Sequence, residues 1–361
     1  MSRGLRLYRR LALGALLLTF VVVVFGAYVR LADAGLGCPD WPGCYGKLTP
    51  AHAADVIRDV HAAEPDGPVS LPKAWKEMIH RYLAASLGLL IIALAVLGWR
   101  LRDNPRAAPA VALALVGVVI FQGLLGKWTV TLLLKPAIVT AHLLGGLTTL
   151  ALLAWLALRA SGAVQPMTSL SHAGRSTRRL QLGARLAFVL LIAQIALGGW
   201  TSTNYAALAC TDFPTCHGSF APDADYANAF HVVRELGMTA DGELLSNAAL
   251  TAIHWSHRIG ALVAGGALLL LGGALCRRRA TLDVGVALLA ALALQVGLGV
   301  ANVLLSLPLP LAAAHNAGAA LLVFVMVWVN FRLGAPRALP SVAPQRRAAP
   351  PLTMAIEEGR S

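Results

Sequence analysis

The chain has 361 residues, of which 57% are hydrophobic and only 13% are charged, with a net charge of +13. Apolar runs long enough to cross a bilayer recur along it, which is typical of a helical protein with several membrane spans. A soluble helical domain is excluded, because so many apolar helices would leave too little polar surface to cover them.

Eight uncharged stretches predict eight transmembrane helices. Their approximate limits are residues 11–29, 82–99, 107–126, 137–158, 186–204, 252–275, 284–305 and 311–331. A basic N-terminus before the first stretch is also typical of a cleaved secretory signal, but this stretch is long and seven more follow it. We therefore expect an uncleaved first helix and an all-α polytopic membrane protein.

The positive charge is concentrated at the chain ends and in every second loop. Arginine-rich segments such as "RGLRLYRR", "WRLRDNPR" and "CRRRA" occupy these positions. Because positively charged loops stay in the cytoplasm, both termini are expected there, with the protein in the inner (plasma) membrane. Residues 30–78, 127–136, 205–250 and 306–310 then face outward. Aromatic residues are not interleaved with the arginines, so we expect the lipid bilayer as a partner and no nucleic acid.

The sequence contains an internal repeat, in which the segment after the first helix recurs with a shift of 172 residues. One pair of similar segments is "GAYVRLADAGLGCPDWPGC" (26–44) and "GGWTSTNYAALACTDFPTC" (198–216). A second pair is "IHRYLAASLG" and "SHRIGALVAG". The repeat predicts two pseudo-symmetric four-helix bundles, an N-terminal half (1–160) and a C-terminal half (181–335). Residues 161–180 are expected to form a cytoplasmic linker, and residues 336–361 a disordered cytoplasmic tail.

The repeat singles out four of the ten histidines. His80 and His257 are expected to begin the second and sixth helices, and His142 and His315 to lie in the first turns of the fourth and eighth. In an antiparallel four-helix bundle these helices are diagonally opposed, so the two histidines of each half can face each other. Ionisable groups at membrane depth are unfavourable and usually functional. Two facing imidazoles can hold a flat ligand from both sides.

Small residues follow each histidine on the same helical face. They are Ala84 and Gly88 after His80, Gly145 after His142, Ala261 and Gly265 after His257, and Gly318 after His315. They leave room for a porphyrin ring, although small residues also permit close helix packing in lipid. Haem is favoured over zinc, since each half offers two imidazoles and no thiolate at that depth, and two histidines suffice for haem iron.

Several motifs resemble the haem A synthase family in this order and over nearly the whole chain. They are "GAYVRLADAGLGCPDWPGC", "EMIHRYLA", "GKWTVT", "AHLLGG", "SHRIGA" and "AHNAGA". The resemblance implies an enzyme that oxidises a porphyrin methyl group of haem O to a formyl group, by successive hydroxylations ending in loss of water. The product, haem A, would serve cytochrome oxidase, and haem O synthase and oxidase assembly factors are the partners it suggests.

The same resemblance implies a division of labour between the halves. A resident haem b would be held by His257 and His315, and the substrate haem would bind near His80 and His142. A di-haem b-type electron-transfer cytochrome is an alternative that explains the histidines but not the difference between the halves. A transporter built from parallel repeats explains the repeat but not the histidines.

Glu77 lies three residues before His80, where the other half has His254 before His257. If the helix begins by residue 77, Glu77 and His80 share one face. A carboxylate beside a substrate haem can accept a proton or stabilise positive charge at the methyl carbon, so Glu77 is the expected catalytic residue. The alternative is an interfacial glutamate with its carboxylate in water.

Arg81 and Arg258 directly follow the first histidine of each half. Two interpretations are open, namely ion pairs with haem propionates and side chains that extend to the membrane interface.

Four of the five cysteines form two pairs in outward-facing loops, Cys38 with Cys44 and Cys210 with Cys216. An oxidising compartment favours disulfides there. A structural role is one interpretation, and the resemblance suggests for the N-terminal pair a redox role in the oxidation or in haem transfer. Cys276 is expected to be an unpaired thiol.

Overall fold

The computed structural model describes residues 2–162 and 175–334, which contain ten α-helices and no β-strand. The helices are α1 (Arg3–Leu31), α2 (Ala54–Ala63), α3 (Leu71–Arg100), α4 (Pro109–Thr131), α5 (Pro136–Ser161), α6 (Arg175–Thr203), α7 (Tyr226–Ala229), α8 (Asn247–Cys276), α9 (Leu282–Leu304) and α10 (Leu309–Leu333).

Eight of these helices, all except the short α2 and α7, are long and apolar enough to cross a membrane. Leu89 in α3 and Leu262 in α8 are 70% and 73% exposed in the middle of their spans. Apolar side chains exposed along a span fit a surface that faces lipid. The predicted class, a multi-pass all-α membrane protein with eight spans, is confirmed.

Several spans extend beyond their predicted limits, because the apolar pattern marks the hydrocarbon core and not the helix ends. Ser2 caps α1 by accepting the Leu5 N–H at 3.3 Å, and Ser70 caps α3 by accepting the Lys73 N–H at 3.4 Å. His80 therefore lies nine residues after the start of α3 at Leu71. The expectation that His80 and His257 begin their helices is wrong.

The second histidines are also deeper than expected. His142 and His315 each lie six residues after the first residue of α5 and α10, in the second helical turn and not the first. The reason is proline at the start of both helices, Pro136 as the first residue of α5 and Pro310 as the second residue of α10. Proline is favoured at the first helical positions, so each helix begins in the outer loop.

Within each half, the four spans pack side by side in the same order. In the N-terminal half α1 and α4 each pack against α3 and α5, and in the C-terminal half α6 and α9 each pack against α8 and α10. Neither α3 with α5 nor α8 with α10 is a closely packed pair in the described residues. The histidine-bearing helices are thus diagonal to each other. The symmetry relation between the two halves stays a prediction.

The halves share an interface formed by α1, α5, α6 and α10. At its outer edge Arg30 donates a 2.8 Å hydrogen bond to the Tyr205 hydroxyl and stacks 4.2 Å from the centre of that ring. The Tyr205 hydroxyl in turn donates to Asp33 at 2.9 Å. Asp33 and Tyr205 occupy equivalent places after α1 and α6, so this cluster ties the ends of the two equivalent helices together.

The outer loop of the C-terminal half also reaches the N-terminal half. Glu235 forms a 2.7 Å ion pair with Lys135, which directly precedes α5. Its neighbour Arg234 is only 4% exposed and donates to the Asn204 side chain at 2.6 Å and to the Met238 carbonyl at 2.7 Å. Burial lowers the pKa of Arg234. The loop is therefore fixed over the outer end of α5.

Two segments named in the sequence are largely or wholly outside the described residues. The linker expected at 161–180 is described only at its ends, and from Arg175 onward it belongs to α6. The tail expected at 336–361 lies wholly outside them. The domain limits therefore stay predictions.

Candidate functional site: two facing histidine pairs

The structure brings the four histidines together as two pairs. His80 on α3 and His142 on α5 form one pair, and His257 on α8 and His315 on α10 form the other. Because the two helices of each pair are diagonal, the two imidazoles of a half come from opposite sides of its interior. All four side chains are nonetheless only partly covered. Neither pair is thus fully enclosed by the protein.

A glycine on a neighbouring helix lies against each imidazole, and these helices are α1, α4, α6 and α9. A Cβ atom placed on Gly26 would lie 2.7 Å from His80 Cε1, and one on Gly198 would lie 3.0 Å from His257 Cε1. The corresponding distances are 3.5 Å from Gly126 to His142 and 3.0 Å from Gly299 to His315. A larger residue at Gly26 would displace the ring, one at Gly198 or Gly299 would shift it slightly, and one at Gly126 would only contact it. These glycines complete the walls of both sites.

The donor set suits a haem better than a bare ion. Within the described residues, no group of three or more His, Cys, Asp or Glu side chains is placed to hold a metal ion. The buried Nδ1 atoms of His80, His142 and His315 have no hydrogen-bond partner in the part of the chain that the structure describes. Two facing imidazoles, held by glycines and with space beside them, fit the two axial positions of a haem.

Glutamines occupy the space beside two of the glycines that were expected to leave room for a porphyrin. A Cβ atom on Gly145 would lie 1.6 Å from the Gln122 amide nitrogen, and one on Gly318 would lie 2.1 Å from the Gln295 amide oxygen. The expectation of open space is therefore wrong at these two positions. It holds at Gly265, where no atom lies within 4 Å of such a Cβ.

Glu77 lies inside α3 and is buried, with 5% of its surface exposed. Its Oε2 atom accepts the backbone N–H of Cys38 at 3.0 Å, and its Oε1 atom forms a 2.5 Å ion pair with Arg81. The alternative of an interfacial glutamate with its carboxylate in water is therefore wrong. Glu77 joins the first cysteine of the outer loop to the helix that carries His80.

His254 occupies the equivalent place in α8 and is 4% exposed. Its Nδ1 atom accepts the backbone N–H of Cys210 at 3.1 Å, and its Nε2 atom lies 3.3 Å from Nε of Arg258. A neutral imidazole has one acceptor nitrogen, whereas a carboxylate can accept from both donors. Glu77 and His254 therefore each accept a hydrogen bond from the first cysteine of their own loop. Only Glu77 can also form an ion pair with its arginine.

Arg81 and Arg258 bind the disulfide loops of their own halves. Arg81 Nη1 donates to the carbonyls of Asp40 and Gly43 at 2.8 and 2.5 Å. Arg258 Nη1 donates to the carbonyls of Asp212 and Thr215 at 2.8 and 2.7 Å. Neither guanidinium simply extends to the membrane interface, and contacts with haem propionates stay a prediction. Sequence reasoning missed this role, because backbone carbonyl partners leave no mark in the sequence.

Both cysteine pairs form disulfides, Cys38 with Cys44 and Cys210 with Cys216. Among the described residues, Cys276 is the free cysteine, as expected. A redox role of the N-terminal pair stays a prediction.

An aspartate organises each disulfide loop. Asp40 accepts the N–H groups of Tyr45 and Gly46, and Asp212 accepts those of His217 and Gly218. The Thr215 hydroxyl and these N–H groups lower the pKa of Asp212. The loops therefore share one internal architecture, which each arginine attaches to a histidine-bearing helix.

Comparison with known proteins identifies the family. A family model described as cytochrome oxidase assembly protein, COX15-CtaA, matches residues 9–327. The chain belongs to the COX15-CtaA family. The match includes all four histidines, both disulfides and Glu77.

Relatives in this family carry one name. A protein of Shewanella oneidensis named "Heme A synthase" is 41% identical over 88% of this chain and 94% of its own length. Proteins with the same name from Sphingopyxis alaskensis and Nitrosospira multiformis are 30% and 29% identical over 91% and 88% of this chain, and 92% and 90% of their own lengths.

Because Arg81 and Arg258 each bind the disulfide loop of their own half, we expect each arginine to affect the reduction rate of one disulfide only. Replacing Arg81 by Met keeps an apolar stem but removes the charged hydrogen bonds to the N-terminal loop, each worth roughly 1.5–3 kcal/mol. We expect a mild reductant to open Cys38–Cys44 at least tenfold faster in R81M, because the loss of even one such hydrogen bond makes opening of the loop about tenfold more frequent. Thiol alkylation followed by peptide mass spectrometry measures both disulfides in one sample.

The other half provides the matched control. Arg258→Met should accelerate reduction of Cys210–Cys216 and leave Cys38–Cys44 at the parental rate. Equal acceleration of both disulfides in either variant would show a general loss of packing and would contradict the local role of the arginines.

Proposed function

We propose that this chain is a haem A synthase, a membrane oxidoreductase that converts haem O to haem A. The observation that carries the proposal is the pair of facing histidine sites in a chain that belongs to this family. One site would bind the substrate porphyrin and the other would hold a resident haem. Relatives named haem A synthase that align over most of their length support the same activity.

The reaction replaces a porphyrin methyl group by a formyl group. With water as the source of oxygen, each of two hydroxylations releases two electrons and two protons, and the resulting gem-diol loses water to give the aldehyde. The chain must therefore hold the methyl group in place, take up protons and pass the four electrons to an external electron acceptor. Two sites with different surroundings fit these separate tasks.

In this proposal His257 and His315 hold the resident haem b, which when bound supplies one-electron transfer. His80 and His142 bind the haem O substrate in the N-terminal half. Gly26 gives the His80 ring room that a larger residue would take away, and Gly126 lies beside the His142 ring. Gly198 and Gly299 lie against the two rings of the resident site.

Glu77 is the proposed catalytic group. It lies three residues before His80 on α3, on the same helical face and one turn toward the outer loop. Cys38 and Arg81 fix the position of its carboxylate. A carboxylate has about four lone-pair positions, so these contacts leave room to accept a proton from the substrate. His254 could not carry negative charge at the equivalent place.

The arginine distribution supports an orientation with both termini in the cytoplasm. The disulfide loops would then lie outside the inner membrane, in an oxidising compartment. Haem O synthase would supply the substrate, and cytochrome oxidase assembly would consume the product.

Extraction of the bound pigments tests the function. The protein is purified from cells that make haem O, and its haems are separated by chromatography. We expect haem b together with haem A or a hydroxylated intermediate. Haem b alone would instead favour an electron-transfer cytochrome, and a protein free of haem would favour a transporter.

The resident haem has its own test. Changing His257 or His315 to Ala removes one axial ligand, so we expect loss of the low-spin b-type absorption of the purified protein. The same change at His80 should leave that absorption in place, because His80 belongs to the other site. A normal bis-histidine spectrum in both H257A and H315A would place the ligands elsewhere.

Glu77 is tested by two variants with different losses. Glu77→Gln keeps the size and an acceptor oxygen for Cys38, and Glu77→His installs the residue that the other half uses at this place. Both should retain the resident haem. Both should lose product formation by roughly 10²–10⁴-fold, the usual effect of removing a positioned acid-base group. The rate of haem A formation, with the resident haem spectrum as a folding control, is the measurement.

The histidine variant separates chemistry from anchoring. If Glu77 only anchors the loop, Glu77→His should work as His254 does and make haem A at a near-parental rate. That result would remove Glu77 from the catalytic machinery.

A further inference from the structure

A short motif, Gln-x-x-x-Gly, occurs in three of the helices that place a glycine against an imidazole, namely α4, α6 and α9. Its sequences are "QGLLG" from Gln122 in α4, "QIALG" from Gln194 in α6 and "QVGLG" from Gln295 in α9. In each case the glycine is the one that lies against an imidazole. The glutamine precedes it by one helical turn, toward the middle of the membrane.

Each glutamine amide lies in a space created by a second glycine, three residues after a histidine. A Cβ atom on Gly260, after His257, would lie 2.3 Å from the Gln194 amide oxygen. The same arrangement joins Gln122 to Gly145, after His142, and Gln295 to Gly318, after His315. Residues three apart share a helical face, so each amide lies on the face that carries the histidine.

In the C-terminal half both amides contact the histidines themselves. Gln194 Nε2 donates to the His257 carbonyl at 2.9 Å and lies 3.0 Å from Nδ1 of the ring. Gln295 Nε2 lies 3.3 Å from the ring of His315. These nitrogens therefore have partners without any added ligand.

The N-terminal half differs in two ways. The Gln122 amide nitrogen is buried and has no hydrogen-bond partner among the described residues. The position equivalent to Gln194 is Val22, which precedes Gly26 in α1, and Leu83 replaces glycine three residues after His80. The His142 side of this site thus carries an amide donor, whereas the His80 side is apolar at the matching depth.

An unpaired donor at this depth is unfavourable until a ligand supplies an acceptor. The flat surface of a porphyrin offers none, but its substituents do. Haem O carries a hydroxyl on its isoprenoid side chain, and the oxidised methyl group gains an oxygen during the proposed reaction. Every haem also carries two propionates, but a charged carboxylate is unfavourable at this depth, so a haem with neither of these two neutral oxygens would leave the amide unsatisfied.

We propose that Gln122 Nε2 donates a hydrogen bond to an oxygen on a substituent of the substrate porphyrin, and so selects oxygenated haems for the N-terminal site. This inference rests on the proposed function for the identity of the substrate. It makes Gln122 a specificity-determining residue, while Gln194 and Gln295 serve the ligands of the other half.

Binding measurements on the full-length protein with its resident haem test the proposal. Haem b, haem O and haem A are each titrated into the parental protein and into Gln122→Met, which keeps length and flexibility but removes the donor. Absorbance reports the added haem bound per resident haem. Gln181→Met is the matched control. Gln181 lies near the start of α6, far from the histidines, and its amide donates to the Leu333 carbonyl. Gln122→Leu provides a second variant should Gln122→Met lose its resident haem.

We expect the Gln122 variants to bind haem b as the parental protein does and to bind an oxygenated haem on the order of tenfold more weakly, which is the effect of one lost hydrogen bond. Weaker binding of haem O and haem A identifies the side-chain hydroxyl as the acceptor, and weaker binding of haem A alone identifies the oxidised methyl group. Both results support the proposal.

Equal affinities of parental protein and variants for all three haems would overturn it. An equal loss for all three, haem b included, would also overturn it, because the amide would then act on His142 or on packing. None of these readings requires turnover. A protein that discriminates in this way but makes no haem A would refute the proposed function and leave this inference intact.

Discussion

A histidine inside a membrane needs a partner for each ring nitrogen, because the hydrocarbon core offers no water to supply one. This constraint shapes the protein around His80, His142, His257 and His315. Glycines on the adjacent spans let the rings approach neighbouring helices, yet three Nδ1 atoms remain without a partner among the described residues. In the proposed function, a haem held between the two histidine-bearing helices occupies each half.

The outer loops depend on the same helices. Arg81 and Arg258 each follow a histidine directly and donate to carbonyls of a disulfide loop. The disulfide loop of each half is therefore attached to the helical turn that carries a histidine of that half. A disulfide limits the conformations of its loop, but the arginine fixes where the loop lies. Stability of the loop and position of the imidazole are thus coupled in both halves.

Much of the fold could be predicted because the bilayer imposes a length and an apolar composition on every span. The helix ends could not, since caps such as Ser70 lie in polar segments without an apolar pattern. The histidines stood out through the internal repeat. The glutamines of Gln-x-x-x-Gly did not, although the motif occurs three times, because glycine is common in transmembrane helices and a glutamine partner on another span has no fixed sequence distance.

The differences between the halves gather around His80. Val22 stands where the other half has Gln194, and Glu77 stands where it has His254. His254 holds its cysteine N–H at 3.1 Å, much as Glu77 does at 3.0 Å, so anchoring the loop does not require a carboxylate. What Glu77 adds is a buried negative charge, which is unfavourable in a membrane protein unless it has a use. Its ion pair with Arg81 offsets part of that effect, but Arg258 binds its loop without such a partner. In the proposed function, this charge serves the chemistry of the site beside it.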